Sequence, residues 1–375
     1  MSYITVNTIE EWGTDAGVIV EGVEMKDGNI TGVVQTMAAV SYKEDQVWSQ
    51  KGSSSAADRR TIVSPNKLIV EVNDFSYYLA AQIELDLDTA GNWDSAETAY
   101  AVASARAGKD FYVYACTPVS GNIPVIVLSA NSTYPADYSA ATSRKLGGFH
   151  CLCVAAGTIS GHDLTGYLVG DILPLSLWDL LHRSNSGNEG MVWDVRIRKW
   201  IDIYLQSGTG TGTASVYGAT ITDTRTWMDH VDDLLAVNKT LLGDTEFQII
   251  AGGSNEETNI FGSADPGSTG GHIDTASRRM ISSIGCEDCC GVLWQWLKDQ
   301  SSMYTARAAG WYDLPGAKGS LYQPLNSQDV KLRAGGYWAD AADCGSRARY
   351  ANDWRWSAYA DVGSRGCAEP RIVHL

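Results

Sequence analysis

Short apolar runs, rather than long amphipathic ones, set the pattern of this chain. KLIVEV at 67–72, FYVYAC at 111–116, IPVIVL at 123–128 and GFHCLCVAAG at 148–157 are rich in β-branched and aromatic residues and read as strands. MVWDVRIRKWIDIYL at 191–205 reads as two further strand pieces. Near the start, Val18, Val20 and Val23 carry strand character and Asp27-Gly28 is a hairpin signal. Three segments have helical marks. Asp94 to Ala107 is Ala-rich, with Asp94 or Ser95 as N-cap and Gly108 beyond its end; Thr224 to Asn238 puts Trp227, Val231, Leu234 and Leu235 on one face; and TEFQIIAGG, capped by Asp244, stops at Gly252-Gly253. Ser53 to Asp58, with Gly52 before it, reads as a flexible join, Ser207 to Ser215 as a loop, and residues 257–280 and 305–330 as surface loops. The prediction is a mainly β protein with some α (α+β): an N-terminal β-hairpin or prism-like segment at 1–58, a small β-sandwich at 59–175, and a last domain at 176–375.

Length and charge narrow the function classes. A chain of 375 residues exceeds one ordinary core, so two or three domains are expected. The formal charge of −16 argues against nucleic acid and anionic membrane as partners, because phosphate binding needs clustered Lys and Arg. No apolar run reaches membrane-spanning length, and MSYITVNTIEEW lacks the basic and apolar regions of a signal peptide. The cysteines at 116, 151, 153, 286, 289, 290, 344 and 367 are too few for a disulfide scaffold, and Cys286-x-x-Cys289-Cys290 lacks the second ligand pair of a structural zinc site, so buried thiols are expected. The histidines at 150, 162, 182, 230, 272 and 374 fall in no nucleophile or metal motif. His150 reads as a packed or hydrogen-bonded strand residue. No catalytic residue, resident metal or cofactor is called for, although loop Asp residues leave room for a structural cation such as calcium.

The stretch with most chemistry is Arg333 to Gly366, where two kinds of position interleave. Gly335, Gly336, Trp338, Arg347, Arg355, Trp356 and Arg365 have the rigidity and donor capacity of a scaffold. Tyr337, Ala339, Asp340, Asp343, Tyr350, Asn352, Asp353, Ser357, Tyr359 and Asp361 have the palette of an adaptable binding surface. Gly335-Gly336-x-Trp338, Gly345-Ser346-Arg347-Ala348 and Gly363-Ser364-Arg365-Gly366-Cys367 resemble, at these separations, the variable proteins of diversity-generating retroelements, the phage tropism determinants among them. The segments LLGDTEFQIIAGGS, CCGVLWQW at 289–296 and DILPLSLWDLLHR, and short patches around 107–116 and 143–150, carry the same likeness.

In that family a reverse transcriptase rewrites template adenines, mostly in Asn codons, so varied positions are scattered among fixed ones. The resemblance implies a C-type-lectin-like last domain with a variable region at 333–366, in which the ten residues above vary. All ten are reachable from an Asn codon by changing adenines alone; Trp354 is not, which assigns it to the scaffold. The resemblance further implies a homotrimer at the tip of a virion tail fibre, made in the bacterial cytoplasm, that binds a host cell-surface receptor, protein or glycan, with no nucleic-acid partner and no membrane insertion. Two alternatives stand beside it. An enzyme of the formylglycine-generating type shares the fold but needs paired reactive cysteines where this chain has Cys344 alone. A calcium-dependent sugar lectin needs Glu-Pro-Asn and Trp-Asn-Asp triplets, which are absent.

Overall fold

The computed structural model describes residues 18–371 except 21–22, 27–28, 34–47, 65–67, 73–74, 80, 122, 305, 307, 314–319 and 324. The reading of residues 1–17 and the Asp27-Gly28 pair itself lie outside the described residues. β1 (Val18–Val20), β2 (Val23–Lys26) and β3 (Asn29–Val33) form an antiparallel sheet with Lys26 opposite Asn29, so β2 and β3 flank the expected turn. β4 (Ser49–Gln50), β5 (Thr61–Val63) and β8 (Glu84–Asp86) make a second sheet, and β6 (Leu68–Val72) pairs with β7 (Phe75–Leu79). The expected flexible join holds a short helix instead, α1 (Ala56–Arg59). Ser55 caps it by accepting from the Asp58 amide at 3.1 Å, and Arg59 and Arg60 both clamp the buried Asp171 carboxylate, at 2.8 and 2.7 Å.

β9 (Asp110–Cys116) is central to the sheet β10-β9-β11-β12, with β10 (Val125–Ser129), β11 (Ser143–His150) and β12 (Trp178–Asp179). Its unbroken apolar run is explained by burial of both faces. Phe111, Val113 and Ala115 join Trp48, Leu128 and Phe149 in one core, whereas Tyr112, Tyr114 and Cys116 face Trp178, Met191, Trp200 and Ala368 of the last unit. His150 is a strand residue as expected, and it bridges the two units: its imidazole bonds Asp110 Oδ1 at 2.8 Å and the Tyr204 hydroxyl at 2.9 Å.

The last unit has two sheets. β13 (Met191–Asp194) and β14 (Lys199–Asp202) pair as the sequence predicts, in the order β13-β14-β22-β15 with β15 (Thr240–Leu241) and the late strand β22 (Gly366–Ala368). The second sheet runs β20-β19-β16-β21, with β16 (Trp294–Tyr304), β19 (Ser327–Gly335), β20 (Gly345–Asp353) and β21 (Val362–Gly363). The return of β22 to lie between β14 and β15 gives the C-type-lectin-like arrangement. The core of this unit also draws in residues upstream of 176, among them Leu152, Cys153, Leu164, Tyr167 and Leu173. All eight cysteines are buried free thiols.

Several local expectations change. Asp94 to Ala107 is no α-helix but contains two 3-10 turns, Thr98–Ala101 and Ala103–Arg106, separated by the extended residue Val102. Tertiary bonds win there: the buried Arg106 guanidinium donates to Leu87 O at 3.0 Å, Tyr100 O at 2.7 Å and Asp88 Oδ1 at 2.6 Å. α2 (Trp227–Leu235) is present, with a capping box of Thr226 and Asp229, and it buries Leu234; Leu235 instead lines an open cleft beside Trp227 and Val231. α3 (Asp244–Ile250) starts one residue differently, with Gly243 as N-cap and Asp244 freed to pair with Arg349. Residues 257–280 are not all surface, because Asn259, Thr269, Asp274 and Arg279 are buried and satisfy the irregular backbone or, for Arg279, fork onto Glu287 at 2.6 and 2.8 Å. Residues 305–330 carry a hairpin, β17 (Gly310–Asp313) with β18 (Ser320–Gln323), zipped by the exposed Trp311–Tyr322 cross-strand pair at 5.4 Å.

Arg365 sits where the chain passes from β21 in one sheet to β22 in the other. It is 1% exposed and donates to Asp202 O at 2.7 Å, Ile203 O at 2.6 Å, Gln295 Oε1 at 3.1 Å and Glu287 O. Arg365→Leu leaves these acceptors unpaired, and urea unfolding is expected to show a loss of about 3–5 kcal/mol. Close by, His230 Nδ1 donates to Gln206 Oε1 (2.8 Å), which also accepts from Ser364. Burial pushes the His230 imidazole down to about 4 from 6.5. The unfolded chain therefore binds the extra proton between those values, so stability is fully present above pH 6.5 and falls as pH drops toward 4. Thermal or urea unfolding of His230→Gln is expected to show a flatter dependence over that window, by at most about 1.4 kcal/mol per pH unit.

Candidate ligand-binding face

The face is built on a sharp reversal after β19. Gly335 and Gly336 take φ of +96° and +88°, and a Cβ there would stand 2.4 Å from Cys289 O or 2.8 Å from Cys344 Sγ. Only glycine fits that turn. The following loop is held from both sides: the Gly291 amide donates to both glycine carbonyls at 3.2 Å, and Asp340 Oδ2 accepts from the Tyr337 amide at 3.0 Å. Trp338 packs against a cluster of Leu205, Ile221, Ile260, Met280, Val292 and Leu293, and its carbonyl accepts from Asn259. Its ring meets Tyr337 edge-on at 5.0 Å.

β20 and the loop behind it are pinned by cations. Arg349 pairs with Asp244 and lies 5.3 Å from the Phe247 ring. Arg355 forks onto Asp329 at 2.6 and 2.8 Å, and the Trp227 amide donates to its carbonyl at 3.0 Å. Trp354 and Trp356 stack edge-on at 4.8 Å. The Tyr359 carbonyl accepts from Thr224 N at 3.1 Å and the Asp361 carbonyl from Trp294 N at 2.9 Å, so α2's approach and β16 both fix this loop.

Arg333 is the hub beneath the face. It is 3% exposed and lies 4.3 Å from the Tyr350 ring, 5.5 Å from Trp296 and 5.9 Å from both Trp294 and Tyr359. Its charge is met by an ion pair with Asp353. Burial lowers the Arg333 pKa, while Asp361, Tyr350 and Tyr359 act the other way. Burial, together with Asp343 and Asp361, raises that of Asp340.

The structure therefore gathers Asp340, Tyr350, Asp353, Tyr359 and Asp361 around one guanidinium, with Tyr337 beside Asp340 and Asp361. Tyr350 and Tyr359 are 38% and 47% exposed, and Ala339, Asp343 and Asn352 are also exposed. Asn352 reaches the Tyr350 hydroxyl at 3.5 Å, and Ser357 is half-buried in the pinned loop. Asp353 is different: at 9% exposure and ion-paired, it is more foundation than display. Among the scaffold candidates, Gly335, Gly336, Trp338, Trp356 and Arg365 are packed or buried, but Arg347 is exposed, and Arg349 does the anchoring two residues later. The residues that sequence reasoning missed are Arg333, Arg349, Trp294 and Asp329. Their partners are distant in sequence, which leaves only residue type as a signal.

Cys344 is buried beside this loop, its thiol donating to Tyr337 O at 3.4 Å and pushed up to about 12 by burial and by Asp340 and Asp343. That is the state of a structural thiol, not a nucleophile. Among the described residues, no three His, Cys, Asp or Glu side chains converge as a metal-ligand set.

A mainly β chain that ends in this two-sheet unit has counterparts among known proteins. Residues 70–179 match the family model described as the Mtd second domain. The chain is 27% identical over 307 residues to the "Tail fiber receptor-binding protein" of Bordetella phage BPP-1, covering 74% of this chain and 76% of that one. Its fold is that of the Major Tropism Determinant U1 variant (TM-score 0.70, 24% identity, 94% of this chain and 92% of that one) and I1 variant (0.69, 24%, 88% and 84%). The chain is thus similar to the tropism determinants in fold, and in sequence over its middle part.

The face makes a graded forecast. Ala339→Ser, Asp343→Ser and Asn352→Ser are expected to change unfolding free energy by about 0.5 kcal/mol or less, as exposed positions do. Asp353→Ser leaves Arg333 buried without its carboxylate and is expected to cost about 3 kcal/mol. Equal costs at all four positions in urea titrations would contradict this division.

Proposed function

We propose that this chain is a receptor-binding protein at the tip of a phage or prophage tail fibre, acting by adhesion and not by catalysis. Its ligand contacts are Tyr337, Ala339, Asp340, Asp343, Tyr350, Asn352, Ser357, Tyr359 and Asp361, with Asp353 setting the base of the site. The observation that carries the reading is the division between backbone and display: glycine turns, Arg349, Arg355 and Arg365 hold the main chain, while the exposed side chains carry little of the packing. Such a face can exchange side chains without losing its shape. Its likeness to a protein called a tail fiber receptor-binding protein supports the same reading.

The ten positions are varied, in this reading, by a retroelement that rewrites adenines. Homotrimer assembly multiplies weak single-site contacts, since linked sites raise avidity roughly 10²- to 10⁴-fold. Four carboxylates with three tyrosines favour a receptor patch rich in Lys, Arg or amino sugars. No cofactor is invoked.

Two experiments test this. Sequencing the DNA adjoining the gene is expected to reveal a near-copy of the codons for Arg333 to Gly366, differing only at adenines and at the ten codons. Absence of a copy, with the region identical in every isolate, would overturn the diversification and leave a fixed lectin-like domain. Purified protein is expected to compete with phage for host cells, and Asp340→Asn with Asp343→Asn and Asp361→Asn is expected to weaken that competition by tenfold or more. Undiminished competition by this variant would remove the face from the receptor contact.

A further inference from the structure

A second site lies away from the diversified positions, where the loop 183–189 meets β11, β12 and the segment around Arg371. It is a cavity of about 340 Å³, within the range of small-ligand pockets. Its lining brings together Lys145, Arg183 and Arg371 in a chain whose formal charge is −16. Among the described residues none of these three forms an ion pair with a carboxylate. Glu189 is the one acidic side chain in the lining, and its Oε1 already accepts from the Tyr112 hydroxyl at 2.8 Å.

Two buried donors in this lining are unused. Arg183 Nε and Asn188 Nδ2 are buried and have no hydrogen-bond partner, although Asn188 Oδ1 accepts from the Ser184 amide at 3.1 Å. Asn188 is 6% exposed, so its amide is a fixed wall of the pocket and not a solvated surface group. The Lys145 ammonium lies over the ring of Tyr112 at 4.1 Å, with Tyr114 at 6.0 Å, and feels the charge of Glu189 without an ion pair to it. The Trp178 indole completes an apolar side.

Unpaired cations and idle buried donors around one cavity cost stability until an anion fills it. Consistent with that, burial lowers the Arg183 pKa and Arg371 lowers it further, with Asp179 opposing. Burial likewise lowers that of Lys145, with Glu189 opposing and Arg183 adding to the shift. The backbone is well held, as Arg371 N donates to Arg183 O at 2.8 Å and Asn185 N to Glu369 O at 2.8 Å.

We infer that this cavity is a binding site for an anionic ligand, a phosphate- or carboxylate-bearing small molecule or sugar, held by Arg183, Arg371 and Lys145 with the Asn188 amide as an orienting donor. Two guanidinium forks suit the paired oxygens of either group. The site does not depend on the receptor-binding reading.

Binding is measured by calorimetry on the full chain at constant ionic strength set with sodium chloride, because exposed charges are screened by salt. The probes are inorganic phosphate, glucose 6-phosphate, glucuronate and neutral glucose. Saturable binding of phosphate compounds, of glucuronate or of both is expected, and which of them binds assigns the anionic group. Arg183→Gln with Arg371→Gln is expected to weaken binding at least about tenfold, while Lys51→Gln, at an exposed ion pair elsewhere, leaves it unchanged. Removing mutually repelling cations is also expected to leave the anion-free double variant as stable as the parent or more so, which keeps the test valid if binding is lost. No saturable binding of any anion, equal binding in the double variant, or equal binding of glucose would each overturn the proposal.

Discussion

The Arg365 guanidinium is the point on which the last unit turns. It sits between β21 and β22, at the step from one sheet to the other, and its donors reach carbonyls of residues 202, 203 and 287 and the side chain of Gln295. A buried charge is tolerable only when its donors are met, and here two adjacent carbonyls at 202 and 203, the carbonyl of 287 and the side chain of Gln295 do so. Each of those segments is thereby fixed relative to the end of the display region. Gln295 extends the chain of constraint, since its amide nitrogen donates to Asp288 O at 3.1 Å and Cys289 O at 3.0 Å, directly behind Gly335. One network thus spans the two ends of the stretch 335–365.

Arg333 plays the complementary role from within the face. Its aromatic box of Trp294, Trp296, Tyr350 and Tyr359 mixes two residues of the scaffold with two of the display. The tryptophans and the Asp353 pair hold the cation whatever occupies 350 and 359. A tyrosine at either place gains a cation–π contact of about 0.5–2 kcal/mol, and a small polar residue loses only that. The hub therefore offers aromatic residues a reward without requiring them.

Much of this was legible beforehand. Strands with β-branched and aromatic runs, the helix with its apolar face at Trp227, Val231 and Leu234, and the two strand pieces within 191–205 are local signals, and the structure holds them where it describes them. The failures share one cause. Asp94 to Ala107 has helix propensity, but Arg106 finds better acceptors in Leu87, Tyr100 and Gly170 than a helix can give. The join at 53–58 becomes a helix because Asp171, over a hundred residues away, binds Arg59 and Arg60. Arg347 and Arg349 are indistinguishable by type, and only the placement of Asp244 decides which of them anchors β20. Hydrogen bonds and ion pairs to other segments leave no periodicity in the sequence, so local pattern cannot find them.

Asp353 exposes a tension in any face built to vary. Its neighbour Asn352 is exposed, yet Asp353 is drawn in by strand pairing with Lys331 and by the charge of Arg333. Of the residues reachable from an Asn codon by adenine changes, Asp alone supplies an anion at this site. Every other choice strands a buried guanidinium, which costs more than a typical exposed substitution by several-fold. Folding therefore filters position 353 before any ligand does. Under the proposed diversification the repertoire of the face is set at the other nine positions, and the carboxylate at its base follows from the buried Arg333.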